Sequence, residues 1–269
     1  MDDWTAGIDT VLCDLDGVVW LAHQPIAGSV EAISALRASG RRVLFVTNNS
    51  AATLADHEQA LAVVGIPARG DVVSSAMAVT QLVRPGDRVL VAAGPGVVEA
   101  VMQAGAEAVI NTGQALTDPV DNVVVGMHRD FDYDRLAVAA SAARSCGRLI
   151  GTNTDSTYPT PEGLLPGGGS ILAAVASASG VEPVIAGKPY QPLASLVASM
   201  LTTEQHPFDP KRVVMVGDRP ETDGLFAARF GCWFALVRSG VSATGDRIEA
   251  DHVDLDVADL AEVARFLNR

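Results

Sequence analysis

Thr10-Val11-Leu12-Cys13-Asp14-Leu15-Asp16-Gly17 is a short β-rich run closed by two carboxylates, one apolar residue apart, and a glycine. An apolar run of this length suits a buried strand, so both acids fall at its carboxyl end. Gly17 lets the backbone turn sharply and aim both at one point. Paired carboxylates there can hold one hard cation through oxygen. They can also divide labour, one oxygen attacking phosphorus while the other moves a proton. Alone, the same four residues are an ordinary acidic turn, so their weight depends on the other strand ends.

Working outward, short β-rich runs alternate with Ala/Leu/Val stretches of helical period, the pattern of a parallel sheet covered by helices. Strands are expected at Thr10–Cys13, Val43–Val46, Val72–Ser74, Arg88–Ala92, Ala108–Ile110 and Val123–Met127. Others follow at Leu149–Thr152, Val184–Ala186, Val213–Val216 and Trp233–Val237. Helices are expected at Ser29–Ser39, Thr53–Val64, Val97–Ala104, Tyr133–Cys146, Ser170–Ser179, Pro192–Leu201, Thr222–Phe230 and Ala258–Leu267. The fold class is α/β, a Rossmann-like doubly wound parallel sheet. Polar groups follow four of the strands: Asp14 and Asp16, Thr47 and Asn48, Lys188, and Asp218. Ligands of an open parallel sheet bind beyond the strands' carboxyl ends, so these loops should converge. Residues 76–185 carry their own βα units but none of these groups. They read as an inserted α/β domain, with 1–75 and 186–269 forming the core.

Each further loop has a chemical reading and a plainer one. In Gly217-Asp218-Arg219-Pro220-Glu221-Thr222-Asp223, Asp218 offers a third metal ligand. Asp223 either orients a metal-bound water or simply favours a helix start. Thr47, Asn48 and Asn49 offer a hydroxyl, carboxamides and backbone N–H groups to a phosphate, or merely cap a helix. Lys188 is one of only two lysines, the other being Lys211. A compact ammonium beyond a buried strand can neutralise a phosphate oxygen. Gly94-Pro95-Gly96 lacks the third small residue of a dinucleotide loop and reads as a βα turn. Cys13 reads as a small core residue.

Bulk properties narrow the function. The chain has 269 residues, 48% of them hydrophobic, enough for a substantial core. A net charge of −13 argues against a general nucleic-acid surface and requires a cation wherever an anionic substrate binds. Three scattered cysteines match no zinc spacing, and the acidic start MDDWTAGID lacks the apolar core of an export signal. No apolar run is long enough to span a membrane. These features together lead us to expect a cytoplasmic protein.

The segments DLDGVVW (14–20), FVTNNS (45–50), GKPYQP (187–192) and GDRPETD (217–223) together resemble the four ordered motifs of haloacid-dehalogenase-like (HAD) phosphatases. The match is nearest the subclass IIA branch of NagD-like, 4-nitrophenyl-phosphatase-like and phosphoglycolate-phosphatase-like enzymes. PIAGSVEAISALRASG (25–40) and the stretch 134–170 extend the resemblance over nearly the whole chain. It implies Asp14 as nucleophile and Asp16 as general acid/base. It also implies Mg²⁺ held by Asp14, the Asp16 backbone carbonyl and Asp218, with Asp223 behind them. Thr47, Asn48, Asn49 and Lys188 would hold the phosphate, and 76–185 would be the cap. Within the cap, His128, Asn153, Asp155 and Tyr158 are candidates to approach the leaving group. His128 and Ala22-His23 depart from the branch's commoner residues.

The expected function is Mg²⁺-dependent hydrolysis of small phosphate monoesters, with a homodimer formed through the cap. Glycerol phosphate, phosphoglycolate, sugar phosphates, nucleotides and pyridoxal phosphate all remain open as substrates. Two other classes share some features: a phospho-receiver signalling domain and a catalytically inactive phosphate-binding protein. A receiver is shorter and places its paired acids on a different loop from its phosphoacceptor.

Overall fold

The computed structural model describes residues 4–202, 208–242 and 252–269; the first three residues of the acidic start lie outside them. Two parallel sheets dominate. The first has six strands in the order Leu255–Val257, Trp233–Val237, Val213–Gly217, Thr10–Cys13, Arg42–Thr47 and Val72–Ser74. Every neighbouring pair in it is parallel. Thr10–Cys13 lies at its centre because TVLC is apolar on both faces, and all four residues are buried. From this strand the chain winds first to one side, through residues 42–74, and later to the other, through 213–257. The carboxyl end of Thr10–Cys13 therefore opens at the switch point, where an open sheet leaves a crevice.

The second sheet takes five parallel strands from residues 88–185. Their order is Val184–Ile185, Leu149–Gly151, Asn122–Val125, Arg88–Ala92 and Glu107–Ile110. It is not an isolated body. Val46 and Val73 of the first sheet share one buried apolar cluster with Val89, Val91 and Val124 of the second. Separating the sheets would expose that surface, at about 25 cal/mol per Å².

The expected elements form, most of them within two residues of their expected ends. Tyr133–Cys146 is a helix because Asp132 caps its first turn and Gly147, in the left-handed region, ends it. The last core helix differs. Pro220–Gly224 makes a wider, π-type turn, and the α-helix runs only over Leu225–Phe230. Two hairpins were not expected: Trp20–Leu21 with Gln24–Pro25, and Thr157–Thr160 with Gly163–Pro166.

Gly94-Pro95-Gly96 is the βα turn expected, and its glycines have a packing reason. A Cβ on Gly94 would collide with the Ala51 carbonyl, and one on Gly96 with that of Ala52. The turn thus holds the second sheet against the loop that follows Asn49.

Candidate active site

The four strand-end loops converge. Asp14, Asp16, Thr47, Asn48, Asn49, Lys188, Arg219 and Thr222 line one cavity of about 50 Å³. From the second sheet and its hairpin, Met127, Asn153, Asp155, Thr157 and Tyr158 close it over.

Lys188 is the centre of the charge arrangement. It is 1% exposed, and its Nζ lies 2.9 Å from Asp14 Oδ1 and 2.7 Å from Asp223 Oδ1. The ammonium also donates to the Val46 carbonyl at 2.9 Å. Burial alone would push its pKa down, but the two carboxylates hold it above the ordinary lysine value. Lys188 is therefore a fixed cation.

Asp14, Asp218 and Asp223 bring carboxylate oxygens within 4.8 Å of one another. Burial raises Asp14 well above the usual carboxylate range, against the pull of Lys188, and Asp223 and Asp218 add to the rise. Asp218 is raised to about 7, again by burial first and Asp223 second. Its Oδ2 accepts from the Val241 N–H at 2.6 Å, while its buried Oδ1 has no partner. The one ammonium touches two of the three carboxylates, and the buried Asp218 Oδ1 is orphaned. That donor set fits a hard divalent cation, which prefers oxygen ligands. Gly17 (φ 90°) and Gly240 both press on Asp218, where any Cβ would strike its carboxylate. Asp223 is closer to the cluster than a helix-start role requires: it is fully buried and accepts from the Arg219 N–H at 3.2 Å.

The Asp16 side chain is not part of that cluster. Its carboxylate turns to Trp20, whose Nε1 donates to Oδ1 at 3.1 Å. Burial pushes Asp16 up to about 6, moderated by the hydrogen bonds of Trp20 and of Tyr158, which reaches it from the hairpin. Burial, followed by the charge of Asp16, raises the Tyr158 phenol in turn.

Thr47 Oγ1 accepts from the Asn49 N–H at 3.0 Å, and its hydroxyl hydrogen is left for another acceptor. The Asn48 carboxamide is already employed. Its Oδ1 accepts from the Lys188 N–H at 2.8 Å, and its Nδ2 donates to Asp155 Oδ2 at 2.9 Å. The Asn49 side-chain oxygen accepts from the Ala51 N–H, and His57 Nε2 meets the Asn49 backbone carbonyl at 3.2 Å. Asn153 Nδ2 donates to the Asn48 carbonyl at 2.7 Å. Asn153 and Asp155 thus tie the second sheet to the phosphate-side loop.

His128 lies elsewhere, which corrects the expectation that it approaches the leaving group. Its Nδ1 bonds the Gly126 carbonyl at 3.0 Å and Phe131 meets its ring edge-on, so it lines a neighbouring cavity. Cys13 is a fully buried core residue, as expected. Arg219 and Trp20 escaped notice although each stands inside a quoted motif. Arg219 Nη2 donates to the Thr157 carbonyl at 3.0 Å, bridging the two sheets' loops.

Comparison with known proteins agrees with this geometry. Residues 11–107 match the family described as haloacid dehalogenase-like hydrolase, and 185–263 match the HAD-hydrolase-like family. The D-glycerol 3-phosphate phosphatase of Mycobacterium tuberculosis is 34% identical over 250 residues, covering 91% of this chain and 67% of that protein. An acid sugar phosphatase of Staphylococcus aureus is 34% identical over 239 residues, covering 87% of this chain and 88% of that one. The crystal structure of the M. tuberculosis glycerol phosphate phosphatase in complex with magnesium superposes with a TM-score of 0.82 at 33% identity. That superposition covers 99% of this chain and 78% of that one. The chain belongs to the haloacid dehalogenase-like hydrolases, in the subclass IIA branch that includes these phosphatases.

Proposed function

We propose that the chain hydrolyses small polyol phosphate monoesters, with Mg²⁺ as cofactor, through an aspartyl-phosphate on Asp14. The observation that carries this reading is the buried Asp14 carboxylate at the switch point, 2.9 Å from Lys188 and beside the Asp218–Asp223 pair. A phosphate dianion repels an attacking carboxylate unless charge is neutralised, and the fixed Lys188 ammonium supplies part of that. Asp14, Asp218 and the Asp16 backbone carbonyl would hold Mg²⁺, which supplies further positive charge to the phosphoryl oxygens. The Thr47 hydroxyl and the Asn48 backbone N–H are the donors left for the phosphate, the Asn49 N–H being held by Thr47 Oγ1.

Asp14 attacks phosphorus in line and the ester bond breaks. Asp16 gives its proton to the departing alkoxide. Asp16, now ionised, takes a proton from water, which attacks the aspartyl-phosphate and releases inorganic phosphate and free Asp14. A carboxyl group raised to about 6 suits both roles near neutrality. Residues 76–185 act as the cap, with Met127, Asp155 and Tyr158 facing the leaving group.

The narrow cavity supports a small substrate. The glycerol phosphate and acid sugar phosphatases among the relatives support a polyol. Three free cysteines suit the reducing cytoplasm, and no described helix is long and apolar enough to cross a membrane. Exposed Met102 and Ile110, on the packed Pro95–Gln103 helix and Glu107–Ile110 edge strand, support a homodimer through the cap. The test is phosphate release from glycerol, sugar, nucleotide, glycolate and pyridoxal phosphates, with Mg²⁺ and with chelator. Highest kcat/KM on a polyol phosphate, abolished by chelation, is expected. Full activity in chelator overturns the cofactor assignment, and preference for a nucleotide overturns the substrate class.

A further inference from the structure

We propose that Trp20 is a positioning residue that dictates which oxygen of Asp16 carries the transferred proton. The inference rests on the reading of Asp16 as general acid/base. Its own support is the local geometry around Trp20.

Trp20 is 1% exposed, and its Nε1 donates to Asp16 Oδ1 at 3.1 Å. Such a contact on a surface loop would be transient, but here the loop is locked. The Trp20 N–H bonds the Leu15 carbonyl at 3.1 Å, and the Gly17 N–H bonds the Trp20 carbonyl at 2.8 Å. Asp16 and Trp20 form a β-bridge across this turn. Beyond it, Trp20 pairs with Pro25 and Leu21 with Gln24 in a hairpin. The connecting residues Ala22 (φ 45°) and His23 (φ 69°) both take left-handed backbone, the geometry of a tight two-residue hairpin turn. That turn returns the His23 ring onto the indole, edge-on at 4.9 Å and 83°. The indole is thus held from three directions: the turn beneath it, the hairpin beside it and His23 against its face.

The chemical consequence follows from the indole's nature. Its N–H donates and never accepts. A proton on Asp16 Oδ1 would have to share that site with another hydrogen. In neutral Asp16 the proton therefore favours Oδ2, because the carbonyl form of Oδ1 is the better acceptor for the indole. In ionised Asp16 the indole holds Oδ1 and the Tyr158 phenol donates as well, which leaves Oδ2 a lone pair to accept from water. One oxygen serves as the anchor and the other as the working atom in both half-reactions. Trp20 touches neither phosphate nor leaving group; it acts through Asp16.

Two substitutions separate this from simple packing. Trp20→Phe keeps an apolar ring and removes the N–H. Site-specific replacement of Trp20 by benzothienylalanine keeps the indole shape and exchanges N–H for sulfur, so it decides the matter if the Phe variant folds poorly. Both are assayed as full-length protein with Mg²⁺ on glycerol 3-phosphate and on 4-nitrophenyl phosphate, whose leaving group needs little protonation. With glycerol phosphate, kcat should fall about 10- to 100-fold, the scale of a lost hydrogen bond to a charged group. The pre-steady-state burst with nitrophenyl phosphate should fall far less, and KM and the inhibition constant for inorganic phosphate should hold.

In the Asp16→Asn background the replacement should add no further loss. A nitrophenyl burst that falls as far as the glycerol-phosphate kcat, weaker phosphate binding, or unchanged kcat in the benzothienylalanine protein overturns the proposal. Asp16→Asn alone tests the underlying reading. If that variant accumulates phosphoenzyme while the Trp20 variants turn over like wild type, only the Trp20 proposal falls.

Discussion

The ammonium of Lys188 stands 2.9 Å from Asp14 Oδ1, with both side chains buried at the switch point of the first sheet. The same ammonium holds Asp223, so one cation balances a cluster of three acids. Once all three acids are ionised the arrangement is electrostatically incomplete, and its deficit is the size of a divalent cation's charge.

Lys188→Met should show this directly. The change keeps an unbranched apolar stem without the ammonium and leaves Asp14 and Asp223 as uncompensated buried carboxylates. Breaking a buried pair in this way costs about 3–5 kcal/mol. Thermal melts should show a large fall in Tm without Mg²⁺ and a partial recovery with it. Phosphatase activity should drop by at least about 100-fold. An unchanged Tm in chelator would mean that the cluster is neutral by protonation and does not depend on the lysine.

Gly240→Ala is expected to damage metal use while sparing the fold. The new Cβ would strike the Asp218 carboxylate, which must move from its position beside Asp14. The Mg²⁺ concentration for half-maximal activity should rise about tenfold, equivalent to roughly 1.4 kcal/mol of lost binding. Gly7→Ala, at a site with open space, is the control and should match wild type. Equal Mg²⁺ dependence in both would remove Asp218 from the metal site.

Stability should depend on pH through His57. This ring is buried and its pKa is lowered, by burial first, so the folded protein prefers it neutral. The unfolded chain binds the proton at the ordinary value near about 6.5. Stability is then full above that value and is lost as pH falls below it toward the lower folded pKa. Denaturant melts between about pH 7 and pH 5, a range in which an unperturbed histidine changes charge, should show this slope in wild type and a shallower one in His57→Gln. An identical slope would exclude His57 as its source.

Much of the site was readable because strand ends are readable. Apolar runs such as TVLC and VVMVG fix where strands stop, and parallel pairing brings Asp14, Thr47 and Asp218 to one edge, while Lys188 arrives from an edge strand of the second sheet. What stayed hidden depends on contacts between distant segments. TYPTPEGLLP carries three prolines and argues against strands, yet Thr157–Thr160 pairs with Gly163–Pro166 and delivers Tyr158 to Asp16. Asn48 looked free to bind phosphate, but its carboxamide bonds Lys188 and Asp155, over a hundred positions away in sequence. His128 follows a strand end like the others, but its bond to the Gly126 carbonyl turns it aside. Nothing in the order of residues distinguishes these cases.

The central claim is the covalent intermediate on Asp14. Asp16→Asn keeps the Asp14 carboxylate, Lys188 and the backbone carbonyl at position 16, but cannot move a proton. Overall kcat should fall by about 10²–10⁴-fold. With 4-nitrophenyl phosphate and Mg²⁺, the first step still proceeds, so rapid-quench mass spectrometry should find a phosphoryl group on the peptide carrying Asp14. Asp14→Asn in the same assay should carry none. A wild-type enzyme that turns over while Asp16→Asn shows no adduct, or an adduct on any other residue, would contradict the account.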